Sequence, residues 1–234
     1  MIRLVRALNH FRKIRTADEV DRLTHVFGTV AAMGPARYNK TRVRYLASPA
    51  FCEMISSQPS LSDLVADQAA LANYPPSSLG RLLYQFLAND NLDYAKFLSQ
   101  YETAGLQATG GLFELYNNRE RDLHDLIHVL FAYERTRFGE AATICTQFWQ
   151  GGPSGFAVIA FAGIARYLFV RPRHALLVLR ALYGAYKRQR GIDLRGYPIE
   201  RNLHKHINEV RHDLGIKPKS RALRTVLENT RWKD

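Results

Sequence analysis

Apolar positions recur at three- and four-residue intervals along most of the 234-residue chain, and strict alternation is scarce. Starts of helices are marked by Thr16-Ala17-Asp18-Glu19, a capping-box pattern, by Ser48-Pro49, by Ser60 and by Ser77/Ser78. Stops fall at Asn89-Asp90-Asn91, Gly110-Gly111, Asn117-Asn118, Gly151-Gly152-Pro153, Pro172, Gly191, Gly196-Tyr197-Pro198 and Gly215 to Pro218. The segments between them run roughly 10–20 residues, a helix length. The pattern predicts an all-α protein, a single compact domain over residues 1–234 with roughly eight or nine helices. No internal repeat or low-complexity linker divides it.

Two segments stand apart. Residues 1–15 form a basic amphipathic helix, with Met1, Leu4, Val5, Leu8 and Phe11 at helical spacing and arginines on the other face. That pattern suits a helix lying in a membrane interface, and equally a surface helix packed on a core. A mitochondrial transit peptide shares its Arg-rich, acid-poor character but is usually richer in serine. At the other end, residues 217–234 read as a mobile basic tail. No window reaches about 18 uninterrupted apolar residues, the length of a membrane span. "FAVIAFAGIARYLFV" (156–170) comes nearest but contains Arg166, and it reads as a buried helix.

Composition and charge narrow the functional classes. At 47% apolar residues the chain can bury a real core. Cys52 and Cys145 show no metal-ligand spacing, which points to two reduced thiols in an intracellular protein or to a lone disulfide, and excludes a cysteine-based zinc site. The net charge of +12 is carried by the ends: residues 1–15 hold five Lys/Arg and no acid, and residues 166–224 hold 15 basic against 4 acidic residues. Such asymmetry suits an anionic surface or a solvated basic face. No nucleic-acid motif accompanies it, so nucleic acid is not an expected partner.

The strongest chemical signal is "HDLIHVLFAYERTRFGE" (124–140). On a helix His124 and His128 project within about 40° of each other, and Asp125 lies about 60° to the other side of His128. Leu123, Ile127, Leu130 and Phe131 form the adjoining apolar stripe, so the histidine edge borders the core. The helix is expected to continue to Arg137, with Gly139 reversing the chain and Glu140 heading the next helix. Two imidazoles and two carboxylates make a ligand set for zinc or for iron, manganese or cobalt; carboxylates this close would repel one another without a cation. A zincin motif fails because position 125 is Asp, and a His-Asp phosphohydrolase lacks its upstream histidine, since none occurs between His25 and His124.

These residues fit His-Asp-x-x-His-x(11)-Glu and resemble the signature of the coenzyme Q biosynthesis protein 4 family. "YPPSSLGRLLYQF" (74–86) is similar to that family's Pro-x-Ser/Thr-Leu-Gly segment, and the likeness extends over about residues 20–215. The resemblance implies an all-helical, membrane-peripheral protein of ubiquinone synthesis. Its metal ligands would be His124, Asp125, His128 and Glu140, and its ion a divalent metal, zinc first. Its activity would be removal of the carboxyl group at ring carbon 1 of a polyprenylated hydroxybenzoate, in an oxidative form with hydroxylation of that carbon; the alternative is a noncatalytic prenyl-lipid scaffold with a structural metal. Expected partners are the polyprenylated aromatic lipid, an anionic membrane surface, other quinone-biosynthesis enzymes and a second copy of the chain. Expected locations are the bacterial inner membrane's cytoplasmic side or the matrix face of the inner mitochondrial membrane.

A polyprenyl substrate needs an apolar channel, for which Phe131, Phe156, Ile159, Phe161 and Ile164 are the candidate lining residues. Zinc does not change oxidation state, so an oxidative step on zinc would need the electron-rich phenol itself to react with dioxygen. Four protein ligands on a tetrahedral ion also leave no open position unless one carboxylate binds loosely.

Overall fold

In the computed structural model, residues 2–14, 19–57, 59–88, 110–170 and 172–228 are described. They form thirteen α-helices and two short 3-10 turns; the only β-type pairing among them is an isolated bridge between Ser78 and His206. The all-α expectation holds. The helix count exceeds it in part because the run that starts at Ser60 divides into two short helices, Leu61–Ala66 and Gln68–Ala72.

The chain opens with a hairpin of α1 (Ile2–Ile14) and α2 (Glu19–Met33), followed by α3 (Ala36–Leu46) and α4 (Pro49–Ser56). Then come α5 (Leu61–Ala66), α6 (Gln68–Ala72) and α7 (Leu79–Ala88). The expected caps are used: Ser48 accepts from Phe51 N, and Ser60 forms a reciprocal capping box with Asp63. Ser78 Oγ accepts from Arg81 N at 3.2 Å. The expected box at Thr16 to Glu19 lies mostly outside the described residues, as does the stop at Asn89-Asp90-Asn91.

The central element is α8 (Gly111–Phe131), and it runs straight through Asn117-Asn118, where a stop was expected. The two amides are engaged elsewhere and do not compete for the helix backbone: Asn117 Oδ1 accepts from Tyr38 Oη at 2.6 Å, and Asn118 Oδ1 accepts from Arg121 Nη1 at 3.2 Å. The chain continues through α9 (Arg137–Trp149), α10 (Ser154–Val170), α11 (Ala175–Gln189), α12 (Ile207–Asp213) and α13 (Arg221–Glu228). Helices α4, α5, α7, α9 and α12 pack on α8, and one buried apolar cluster reaches from Leu61 to Leu227.

The first half of α8 is held by buried ion pairs, because its inner face carries charge where apolar residues would be usual. Arg119 pairs with Glu200 and donates to the carbonyls of Arg195 (3.1 Å) and Tyr197 (2.6 Å). Arg195 in turn pairs with Glu120, and Asp122 takes Ser62 and Arg121. Each buried charge therefore has an opposite partner and hydrogen bonds, the condition under which burial is tolerated.

Two segments differ from expectation. Residues 217–228 of the expected mobile tail are packed: α13 buries Leu223, Val226 and Leu227 against α11, and residues 229–234 lie outside the described residues. Three apolar side chains on one face outweigh its charges. Helix α10 is not a buried helix either. It packs on α1, α2 and α9, yet Phe161, Phe169 and Val170 are exposed, and α11 adds exposed Leu176, Leu179 and Tyr183. The apolar stripe of α1 likewise faces outward at Leu4, Val5 and Leu8, while small Ala7 is the residue it buries. No single described helix is long and apolar enough to cross a membrane.

Candidate metal centre

Four residues of spacing put His124 and His128 on one edge of α8, their rings 5.1 Å apart between centroids in an edge-to-face arrangement. The helix does not reach Arg137 as expected. It ends at Phe131, Ala132 turns left-handed (φ 48°), and Tyr133 N donates to His128 O at 2.9 Å. The last carbonyls of α8 are closed by two arginines: Arg211 donates to Val129 O (3.0 Å) and Leu130 O (2.8 Å), and Arg188 donates to Phe131 O (2.8 Å). Cations at a helix C-terminus also complement its dipole.

The reversal is completed by Thr136, which caps α9 through Gly139 N at 3.1 Å. Gly139 is needed for closeness and not for the reversal itself: a Cβ there would overlap the Glu134 carbonyl. The tight turn brings Glu140, in the first turn of α9, directly back over the histidines. Its Oε2 lies 3.4 Å from His124 Nε2 and its Oε1 lies 3.4 Å from His128 Nε2.

The three donor groups cluster within 4.8 Å of one another. Donors bound at ~2.0–2.1 Å to one tetrahedral zinc sit about 3.3–3.4 Å apart, which is the spacing Glu140 keeps from each imidazole. His128 Nε2 is buried, and the Glu140 carboxylate 3.4 Å away is its neighbour without a well-aligned hydrogen bond. Both imidazoles are held from behind at Nδ1, His124 by Gln147 Oε1 (3.0 Å) and His128 by Tyr133 O (2.8 Å). The donor set therefore fits a divalent ion, and the chemistry of two imidazoles and a carboxylate suits zinc as well as first-row metals.

The electrostatics agree with groups waiting for a cation. Burial pulls His124 down, but its hydrogen bond and charge interaction with Glu140, with help from Asp125 and Gln147, win and raise it to about 9. Burial pushes the Glu140 carboxyl up, and the contacts with His124 and His128 outweigh it and hold the group well below the ordinary carboxylate range.

Asp125 is not in the cluster. Its position on the helix flank turns it toward the reversal, where Arg135 Nη2 lies 3.7 Å from its Oδ1. Arg135 also covers the Phe86 ring at 4.1 Å, and Phe86 stacks on His128 at 5.0 Å with 27° between planes. The "PPSSLG" turn anchors α7: Leu79 N and Gly80 N donate to Lys205 O and Leu203 O at 2.9 and 2.8 Å, and α7 packs on α8. Phe86, Gln147, Tyr133, Arg188 and Arg211 were not singled out from sequence. Only Gln147 carries a local signal, being seven residues after Glu140 and so on the same helix face.

The five candidate channel residues lie in different surroundings. Phe131 is fully enclosed in the core between Tyr133 and Arg188. Ile164 is buried in a small cluster with Cys145 and Ala160, Phe156 and Ile159 are half-buried, and Phe161 is exposed.

A family model described as "Coenzyme Q (ubiquinone) biosynthesis protein Coq4" matches residues 4–220. The chain belongs to this family. No individually curated protein matches the chain. The chain is also similar to the crystal structure of a "Putative ubiquinone biosynthesis protein" from Nostoc punctiforme. The two share 14% identity over 91% of this chain and 98% of that one, with a TM-score of 0.61, a likeness of fold. Membership places the chain in coenzyme Q biosynthesis.

Proposed function

We propose that this Coq4-family protein binds a divalent metal, zinc first among the candidates, through His124, His128 and Glu140, and acts there on a polyprenylated hydroxybenzoate. The reaction is removal of the carboxyl group at ring carbon 1, in the oxidative form with hydroxylation of the same carbon: the ring carboxylic acid, dioxygen and water give the phenol, carbon dioxide and hydrogen peroxide, so that dioxygen takes the two electrons lost by the ring. The observation that carries this reading is the number of converging donors. Three protein donors leave a position open, as in catalytic zinc sites, whereas a structural site closes with four. Asp125, paired with Arg135, stays outside and removes the difficulty that four ligands would create. The site is also open on one side: the His124 side chain is 31% exposed and that of Glu140 40%, while His128 is 1% exposed.

Bound there, the ion would supply Lewis acidity beside the head group's phenolate or carboxylate oxygen. The chain supplies the rest. Phe86 walls one side of His128, Arg135 adds a cation next to the mouth, and the capped end of α8 keeps both imidazoles rigid. The exposed apolar side chains of α10 and α11, beside the basic and apolar faces of α1, offer the surface on which the isoprenoid tail and an anionic bilayer would rest. This replaces an internal channel with a membrane-side face.

Turnover of a short-chain prenyl hydroxybenzoate by metal-analysed protein, under air and under nitrogen, tests the reading. Metal-dependent loss of carbon dioxide supports it. Metal-free protein that turns over equally, or metal-loaded protein that binds prenyl lipid without any turnover, contradicts it and favours a scaffold.

A further inference from the structure

Gln147 is a polar side chain on α9 that is only 5% exposed, two turns beyond Glu140. Its amide spans two groups of α8. Nε2 donates to Glu120 O at 3.1 Å, and Oε1 lies 3.0 Å from His124 Nδ1. A backbone carbonyl can only accept, so the NH2 end of the amide must face Glu120 and the oxygen must face the imidazole. An oxygen there can only accept in turn, which requires the proton of His124 to sit on Nδ1. In the neutral ring the remaining lone pair is then on Nε2, the atom 3.4 Å from Glu140 Oε2.

We propose that Gln147 is a positioning residue of this centre, fixing His124 as the Nδ1–H tautomer so that Nε2 is the metal donor. The inference rests on the metal-binding reading above and extends it to a residue that does not touch the ion. It also explains a symmetry of the site: the Tyr133 carbonyl does for His128, at 2.8 Å from its Nδ1, what the Gln147 amide does for His124. One acceptor comes from the chain reversal after α8 and the other from α9, so both imidazoles present Nε2 to the same carboxylate. Outer hydrogen-bond partners of this kind orient ligating histidines and raise their basicity.

Two measurements test it. Zinc affinity by chelator competition is compared for wild type, Gln147→Leu and Gln147→Glu, with circular dichroism confirming the fold of each metal-free protein. Gln147→Leu, which keeps the volume and loses the acceptor, should weaken zinc binding by about 10- to 100-fold. Gln147→Glu, which keeps an acceptor oxygen, should bind more tightly than Gln147→Leu. Independently, the 15N spectrum of metal-free wild type, recorded well above the titration of His124, should show Nδ1 protonated and Nε2 bare. An Nε2–H tautomer there, or a folded Gln147→Leu that binds zinc like wild type, overturns the assignment. A wild type that shows the Nδ1–H signature but takes up no zinc sinks the metal reading and leaves the hydrogen-bond assignment standing.

Discussion

Single residues divide the 124–140 motif into parts with different duties. Glu140 bridges both imidazoles, and Asp125 leans on Arg135 from outside. Glu140→Gln should therefore lower zinc affinity far more than Asp125→Asn, measured by the same chelator competition; equal losses would restore Asp125 as a ligand. The same residues set a pH dependence for the metal-free protein. Glu140 titrates below its unfolded value of 4.5, so its stabilisation is present above that value and fades as pH falls through the lower folded one. His124 titrates at about 9 against 6.5 when unfolded, so its contribution is whole below 6.5 and is lost as pH rises toward 9. Melting temperature of chelated protein should thus be highest between 4.5 and 6.5 and decline through 9, and a flat profile across that alkaline range would exclude the pairing. The histidine pair was legible in the sequence because helical periodicity alone juxtaposes residues four apart. The contact of Asp125 with Arg135 was not, because it depends on where the chain turns and which arginine the turn brings.

At the scale of elements, the site depends on how α8 stops. Ala132 adopts a left-handed conformation that costs an L-residue ~1–2 kcal/mol, and Gly at this place would be free of that strain. Ala132→Gly should raise stability by up to about 1 kcal/mol once glycine's greater unfolded-state freedom is subtracted, a gain readable in urea denaturation. Gly139→Ala has the opposite sign, because its methyl group meets the Glu134 carbonyl: about 1–3 kcal/mol should be lost, together with zinc affinity, as α9 is pushed off α8. A Gly139→Ala protein as stable as wild type would show that the reversal has slack. Sequence punctuation located Ser48, Ser60 and the Gly151-Gly152-Pro153 break correctly, since caps and breakers act within a few residues. It misplaced the end of α8 because no glycine or proline marks Ala132, and the arginines that close its carbonyls come from α11 and α12.

For the whole molecule, periodicity was enough to establish the all-α class, but not which helices stay outside. Helix α10 is apolar nearly all round, a composition that normally means burial, yet it and α11 leave Phe161, Phe169, Val170, Leu176 and Leu179 exposed. Periodicity reports amphipathicity and cannot report that a wholly apolar helix lies at an edge. Replacing Phe161, Phe169 and Leu176 by Ser should weaken flotation with anionic vesicles containing prenyl lipid while leaving zinc affinity intact. Replacing Arg3, Arg6, Arg12, Lys13 and Arg15 by Gln should weaken it in a salt-dependent way, and undiminished binding in both variants would put the lipid surface elsewhere. The most direct measurement of the metal centre is zinc content per chain of wild type and of His128→Ala, loaded and desalted side by side. One ion per wild-type chain and a loss of most of it in the variant is the predicted result; equal zinc in both proteins would contradict a centre built on His124, His128 and Glu140.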